Sequence, residues 1–560
     1  MTKVWHVNQK VSGKSSKIRR QQIIAALLKN RRLLTKPAQK EFFQPPHPQD
    51  LDLKTIGISE SQVKKALTRL KQALTQKQLI YIYGDYDADG ITATAILWET
   101  LDRLGAKVLP FIPLRGDATR GLSVAGITTI LKKDKPALII TVDNGIVSFK
   151  GARFAKKEGI DLIISDHHVP QKKLPPATAV IHTTLTSGAG VAWFFAREIV
   201  KHFLHSGSVT TLELAALGTI ADMVPLLSVN RSLAFHGLND LRQTSRPGLV
   251  TLARDAGVNL KTLDDYQVSF LLSPRLNAMG RLHQALDSLR LLCTRDKARA
   301  KKLSRDLNSA NLNRQDLTRK TFFHALDQAK AQKNQNLIFV SDPSYHDGIV
   351  GLVASQLVRS FHRPAVVVAV GESQSKGSAR SIKGFNLIKN FQSLSSLFLE
   401  VGGHKLAAGF TAETKNLPQI KTRLQKVAAE SLTPEQLKPV LEVDCEINLT
   451  DVGWQLYREI SRFAPFGFDN PMPVFVTRGV KLDRLRQVGK EGKHLQLILS
   501  TKHEARNSKL GGIAFGFGQL SASLSPGATV DLAYAIDENV WNNQKSLQLK
   551  VKDIIILPRH

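Results

Sequence analysis

Three short apolar runs, far apart in the chain and each ending in acids, constrain this protein more than any other feature. Ile80-Tyr81-Ile82-Tyr83 leads into Asp85, Asp87 and Asp89. Leu138-Ile139-Ile140-Thr141-Val142 leads into Asp143, and Leu162-Ile163-Ile164 leads into Ser165-Asp166-His167-His168. Short apolar runs flanked by helical patterns read as buried parallel strands. In open α/β sheets, functional groups gather beyond the carboxyl ends of such strands. Three strand ends carrying carboxylates and imidazoles therefore converge. Oxygen and imidazole donors in one cluster suit Mn²⁺ or Mg²⁺ better than a thiolate-seeking metal.

Asp87 and Asp89 fall in a loop between the first run and a helix expected to start near Ile91, with Gly84 and Gly90 letting the loop turn tightly. A further carboxylate, Asp222, lies in Leu217-Gly218-Thr219-Ile220-Ala221-Asp222. Each acid alone reads as a helix N-cap. Their recurrence at successive strand ends argues against that, because several packed acids repel without a cation. Two metals about 3.5–4 Å apart are the standard device for phosphoester hydrolysis. Asp143 is the best candidate to bridge them.

Charge points the same way. The 560 residues carry 78 Lys and Arg against 47 Asp and Glu, a net charge of +31. Such a surplus implies a polyanionic partner, with nucleic acid first and a solubility device as the bland alternative. Residues 1–40 hold eleven basic residues and no acid, as in flexible arms that touch phosphates non-specifically. Two cysteines, Cys293 and Cys445, exclude a disulfide scaffold. No apolar stretch reaches the ~18 residues of a membrane span, and the basic start lacks a signal peptide's apolar core. A cytoplasmic location is expected.

The expected fold class is α/β, with two α/β domains joined by a helical connector and followed by a small β-barrel. Residues 1–54 read as a basic arm with one helix near Gln21–Leu34. Residues 55–205 alternate strand and helix patterns and read as the catalytic parallel-sheet domain. Residues 206–330 read as the connector, ending in a long polar helix over Asp296–Lys330. Residues 331–435 read as a second α/β domain and 436–560 as an OB-like barrel. In the second α/β domain, Ser378 and Arg380 beside Gly377, and His404 after Gly402-Gly403, suggest an anion pocket built from amides that glycine leaves free. In the barrel, Phe515, Phe517 and Trp541 are candidate stacking residues; Phe515 is expected in the core.

Asp85-Tyr86-Asp87-Ala88-Asp89-Gly90, Val142-Asp143-Asn144-Gly145, Ser165-Asp166-His167-His168 and Gly218-Thr219-Ile220-Ala221-Asp222 resemble the four motifs of the DHH phosphoesterase superfamily. By that resemblance Asp87, Asp89, Asp143, His167 and Asp222 are metal ligands. Asp85, Asp166 and His168 stand close behind them or face the phosphate. The segments 274–281, 346–351, 377–381, 402–409 and 465–471 resemble motifs of the RecJ-type exonucleases within that superfamily. That narrower resemblance spans roughly residues 75 to 560. It implies hydrolysis of single-stranded DNA from the 5′ end to mononucleotides, through in-line attack by water at two Mn²⁺ or Mg²⁺ ions. It also implies a role in repair and recombination, a ring-like route too narrow for duplex, and a monomer fed by a helicase and a single-strand-binding protein. Arg115, Arg275, Asn277, Arg281, Ser378, Arg380, Gly403 and His404 would touch the strand. The sequence departs from the family at Tyr83, where many members place a His, at Ile181-His182-Thr183-Thr184, and at Gly116–Arg120. A phosphodiesterase of short oligonucleotides or cyclic dinucleotides is the alternative, and a non-catalytic scaffold a third class.

Overall fold

The computed structural model describes residues 3–12, 15–114, 121–205, 208–282, 284–500, 509–542 and 544–558. The chain forms two compact units, Pro46–Lys438 and Met1–Pro45 with Pro439–His560. The expected catalytic, connector and second α/β segments thus share one unit. Among the described residues no helix is long and apolar enough to cross a membrane.

The Pro46–Lys438 unit opens on a fully parallel sheet. Among the described residues its strand order is Lys107–Phe111, Leu79–Tyr83, Leu138–Val142, Asp161–Asp166, Ala179–His182. Leu138–Val142 is buried at every position, as a strand covered on both faces must be, so its pattern is a continuous apolar run rather than an alternation. Helix Ala88–Arg103 follows the first strand, and helices Gly188–Phe203 and Leu212–Ala221 pack on it. Helix Lys297–Lys330 begins at Asp296, whose carboxylate caps the Ala298 and Arg299 amides. At 1.5 Å per residue it runs about 50 Å. A second, mixed sheet follows, ordered Glu400–Gly403, Ala407–Glu413, Gln374–Arg380, Ala365–Ala369, Ile338–Asp342.

In the other unit, Phe475–Val488, His494–Ser500, Leu510–Ala514, Gln544–Ile556 and Thr529–Trp541 pair in that order. Thr529–Trp541 also pairs with Phe475–Val488, closing the barrel. The N-terminal residues are no free arm. Val4–Val7 pairs in parallel with Val440–Val443, and helix Ser16–Asn30 buries Ile23, Ala26 and Leu27. Its cations are spent locally. Arg19 meets Asp451 at 2.7 Å, Arg20 meets Glu459 at 3.0 Å, and Arg31 donates to Asn470 at 2.9 Å. Helix Lys36–Phe43 follows. An amphipathic stripe with acids waiting in a distant segment makes an ordered helix out of a run that composition alone reads as flexible. Residues 46–54 belong instead to the larger unit, where the Arg197 guanidinium donates to the Pro48 and Leu51 carbonyls.

Candidate metal centre and anion pocket

The three apolar runs bring their acids to one end of the parallel sheet. Asp87 caps helix Ala88–Arg103: one carboxylate oxygen accepts from the Gly90 amide at 3.0 Å. The capping reading therefore holds for Asp87, and the helix starts three residues before Ile91. Asp89, in the first helical turn, is buried. It accepts from the Gly188 and Ala189 amides at 2.7 and 2.9 Å, at the N-terminus of helix Gly188–Phe203. Asp143 sits at φ +59°, a left-handed conformation that costs a non-glycine residue free energy and turns the chain sharply off the strand. Asp222 ends helix Leu212–Ala221.

Gly84 and Gly90 act through missing volume rather than turn geometry, since neither has positive φ. A Cβ at Gly90 would lie 2.6 Å from that of Asp85, and one at Gly84 2.2 Å from Thr94 Oγ1. Two glycines outside the motifs' acids matter as much. A Cβ at Gly188 would stand 2.5 Å from Asp143 Oδ1, and one at Gly218 2.7 Å from Asp89 Oδ1.

Two overlapping groups of donor atoms result: Asp143, His167 and His168, and Asp89, His167 and Asp222, each within 4.8 Å of one another. Asp85 and Asp87 lie outside these groups. They stay close enough for their charge to act on Asp143. Burial, and then the Asp87 charge, raises the Asp89 carboxyl to about 7. Burial, then Asp89 and Asp87, raises Asp222 to about 9. Burial raises Asp143 too, helped by Asp89, Asp87, Asp85 and Asp222. Burial pushes His167 down to about 4, and its neighbour His168 adds to this. The cation at His168 is favoured instead: its hydrogen bond to Asp166, 2.8 Å, holds it up at about 9. Burial opposes ionisation of Asp166, but His168 and the Ile146 amide outweigh it and keep the carboxyl below its usual range.

These residues fit a divalent cation. His167 Nε2 lies 3.1 Å from Asp143 Oδ1 and 3.8 Å from an Asp222 oxygen. Asp143 Oδ1 is buried, and despite that proximity it makes no hydrogen bond. The Thr186 backbone also acts on the His167 ring. An imidazole nitrogen beside two carboxylates is a donor set that a divalent cation takes.

The second sheet places Ser378 and Arg380 two residues apart on one strand, hence on one face. Arg380 donates to Ser378 Oγ at 3.1 Å. Both face the start of helix Val350–Phe361, where a Cβ at Gly351 would stand 2.9 Å from Ser378 Oγ and 3.1 Å from the Arg380 guanidinium. The backbone beside these two side chains is therefore that of a helix N-terminus, not of Gly377. That residue lies mid-sheet between Phe410 and Val368, where a Cβ would strike the Phe410 ring at 2.1 Å. Gly403, at φ +139°, and exposed His404 form the hairpin that returns as Ala407–Glu413, beside Arg380. Arg281 donates to the Gly348 carbonyl at 3.1 Å, reaching the loop before the helix.

Other expected contacts lie elsewhere. The Asn277 side-chain oxygen accepts from the Ala88 amide at 2.7 Å, so it holds the acid loop. Arg275 donates to Asn308 and to the Leu271 carbonyl. Arg115 and the segment Gly116–Arg120 lie outside the described residues. Tyr83 is buried, with its ring against Phe111 and its hydroxyl against Gly126. His182, from the unusual Ile181–Thr184 stretch, contacts the His168 carbonyl at 2.8 Å. Phe515 is 58 % exposed and not in the core, with its ring against His494; Phe517 is half-buried, and Trp541 is 73 % exposed. The polar pattern of a short strand end does not distinguish an inward ring from an outward one.

A parallel sheet ending in buried acids, a second α/β layer and a closed barrel together define a DHH-type protein. Its segments match accordingly: residues 79–219 the N-terminal domain of the DHH family, 334–430 the DHHA1 domain, and 443–553 the RecJ OB domain. The single-stranded-DNA-specific exonuclease RecJ of Bacillus subtilis is 35% identical over 546 residues, covering 95% of this chain and 68% of the relative. The crystal structure of Thermus thermophilus RecJ with Mn²⁺ superposes with a TM-score of 0.81 at 31% identity, over 100% of this chain and 80% of that one. Its Mg²⁺ complex gives 0.77 at 29% identity, over 100% and 79%. The chain belongs to the RecJ family.

Proposed function

We propose that this chain is a divalent-metal-dependent exonuclease specific for single-stranded DNA. The observation that carries the reading is the cluster Asp89–Asp143–His167–Asp222, buried acids around one imidazole that suit a divalent cation, in a chain of the RecJ family. Asp87, Asp89, Asp143, His167 and Asp222 would hold Mn²⁺ or Mg²⁺, the ions bound in the Thermus RecJ structures. Two such ions, when bound, lower the pKa of an attacking water and offset charge on the phosphoryl oxygens.

The chain's own residues supply the rest. Asp166 holds and orients His168, whose ring is 44% exposed and can meet a phosphoryl oxygen. Asp89, tied to two amides, cannot swing out of the cluster. Ser378, Arg380 and the helix N-terminus at Val350-Gly351 take a phosphate. If that phosphate is the 5′-terminal one, the pocket sets 5′→3′ polarity and release of mononucleotides. Repair and recombination, with a helicase and a single-strand-binding protein upstream and a monomeric enzyme, complete the reading.

The test is a single-stranded oligonucleotide labelled at its 3′ end, incubated with Mn²⁺ and either wild type or Asp143→Ala. Shortening from the 5′ side by wild type alone supports it. Turnover confined to dinucleotides would point to a small-substrate phosphodiesterase. Absence of any cleavage would leave a scaffold.

A further inference from the structure

Hydrolysis leaves unused a group of ligand-type side chains at the start of the larger unit. The turn Pro48–Asp50 packs on helix Ser228–Gln243. The backbone on either side of His47 is pinned there: Ser232 Oγ donates to the Pro46 carbonyl, and the Arg197 guanidinium to the Pro48 carbonyl at 2.9 Å. His47 is thereby presented to the helix face that carries His236 and, one turn on, Asp240. This face is remote from the acids. A Cβ at Gly237 would stand 2.6 Å from the Leu212 carbonyl, at the end of helix Leu212–Ala221 opposite Asp222. The ten residues between are about 15 Å of helix.

The three side chains have the spacing of a ligand set. The His47 and His236 rings have centroids 4.8 Å apart and are tilted by 59°. Two imidazoles on one tetrahedral ion, each with its nitrogen about 2.0 Å from the metal, have centroids about 5 Å apart. His236 and Asp240 stand at i and i+4, the spacing at which a helix turns two ligands to one ion. The charges of both imidazoles reach the Asp240 carboxyl, and those of Asp50 and Asp240 reach His47. Burial, and then the His236 charge, lowers the His47 imidazole, so the ring is neutral near neutral pH, the form that binds metal. Its Nδ1 accepts from the Gln49 amide at 3.2 Å, which puts the ring proton on Nε2. Ligation through Nε2 moves that proton to Nδ1 and gives up this one long hydrogen bond.

We propose that His47, His236 and Asp240 bind one Zn²⁺ ion, with water in the fourth position, and that the ion staples the segment at Pro46–Asp50 to helix Ser228–Gln243. The donor set separates this site from the acid cluster. Two imidazoles and one carboxylate suit zinc, whereas acids around a single imidazole suit the harder Mn²⁺ and Mg²⁺. His47 and Asp240 are exposed and His236 is half-buried, so the ion has a way in and the outer two side chains can turn onto it. The staple joins segments that are far apart in sequence, and it acts on stability whether or not the chain is a nuclease.

The test is a calorimetric titration of the metal-stripped full chain with Zn²⁺, in excess Mg²⁺ to occupy the acid cluster. Wild type should bind one equivalent more than the double variant His47→Ala, His236→Ala. Asp240→Asn, a change at an exposed position that does not threaten folding, should keep the equivalent but bind it at least about tenfold more weakly, since even outer-shell partners are worth ~10–100-fold in metal affinity. Zn²⁺ should also raise the Tm of wild type more than that of the double variant. Cleavage of single-stranded DNA with Mn²⁺ should be the same in all three proteins. Equal stoichiometry and equal Tm shifts in wild type and the double variant would overturn the site, and unchanged affinity in Asp240→Asn would overturn the ligand set. Loss of cleavage in step with the lost equivalent would assign that ion to the acid cluster and overturn the proposal as well. If wild type cleaves nothing, the nuclease reading fails and the titration still decides the zinc site.

Discussion

The two sheets of the larger unit place charge under opposite conditions. At the parallel sheet, Asp89 and Asp143 are 2 % and 3 % exposed and face other acids. At the mixed sheet, Lys376, Ser378 and Arg380 are half-buried and His404 is exposed. Buried like charges are costly until a counter-charge arrives. Half-exposed cations stay partly solvated and cost little. The first site therefore suits a small, dense cation, whereas the proposed second site would take a large anion only in passing.

The comparison can be broken at several points, beginning with the largest effect. Asp143→Ala should cost about a thousandfold in cleavage of a 3′-labelled single strand with Mn²⁺. A loss of only a few-fold would mean the acids are not the reaction centre. Gly188→Ala puts a methyl 2.5 Å from Asp143 Oδ1. About a hundredfold loss of kcat is expected with the circular-dichroism spectrum unchanged, since small displacements of reacting groups are expensive. Mn²⁺ at a hundred times its Kd should stabilise wild type by about 2.7 kcal/mol, read from denaturant unfolding with and without chelator. Arg380→Ala should leave that metal-induced stabilisation in place, which sharpens the contrast between the sites. The same variant should raise KM about tenfold and reduce the salt slope of strand binding by about one. A changed metal response in Arg380→Ala would merge the two sites into one. Asn277→Ala, which frees the Ala88 amide, should lower kcat/KM about fivefold, corresponding to the ~1 kcal/mol of one hydrogen bond.

The acid-bearing strand ends were readable because each depends on neighbours within a few residues. The roles of Asn277 and Gly188 were not readable. Asn277 looked like a strand contact and instead holds a loop 189 residues away. Gly188 and Ala189 offer their amides to an acid about 100 residues earlier, and only the Gly-Ala-Gly start of the helix after the last strand of the parallel sheet hinted at them. The Gly377 segment misled for a related reason: glycine signals freed amides in a turn, but here it makes room for Phe410 inside a sheet.

By itself the sequence determined which segments are buried strands and that their carboxyl ends carry acids, imidazoles and glycines. Burial on both faces forces a continuous apolar run, and a strand's end is where that run stops. Only the tertiary structure decided which oxygens meet, with His167 pressed between Asp143 and Asp222 and Asp89 tied to a distant helix. It also decided that the basic N-terminal residues spend three arginines on Asp451, Glu459 and Asn470 and that Phe515 faces out. Close approach between remote segments is set by packing, and no periodicity along the chain encodes it.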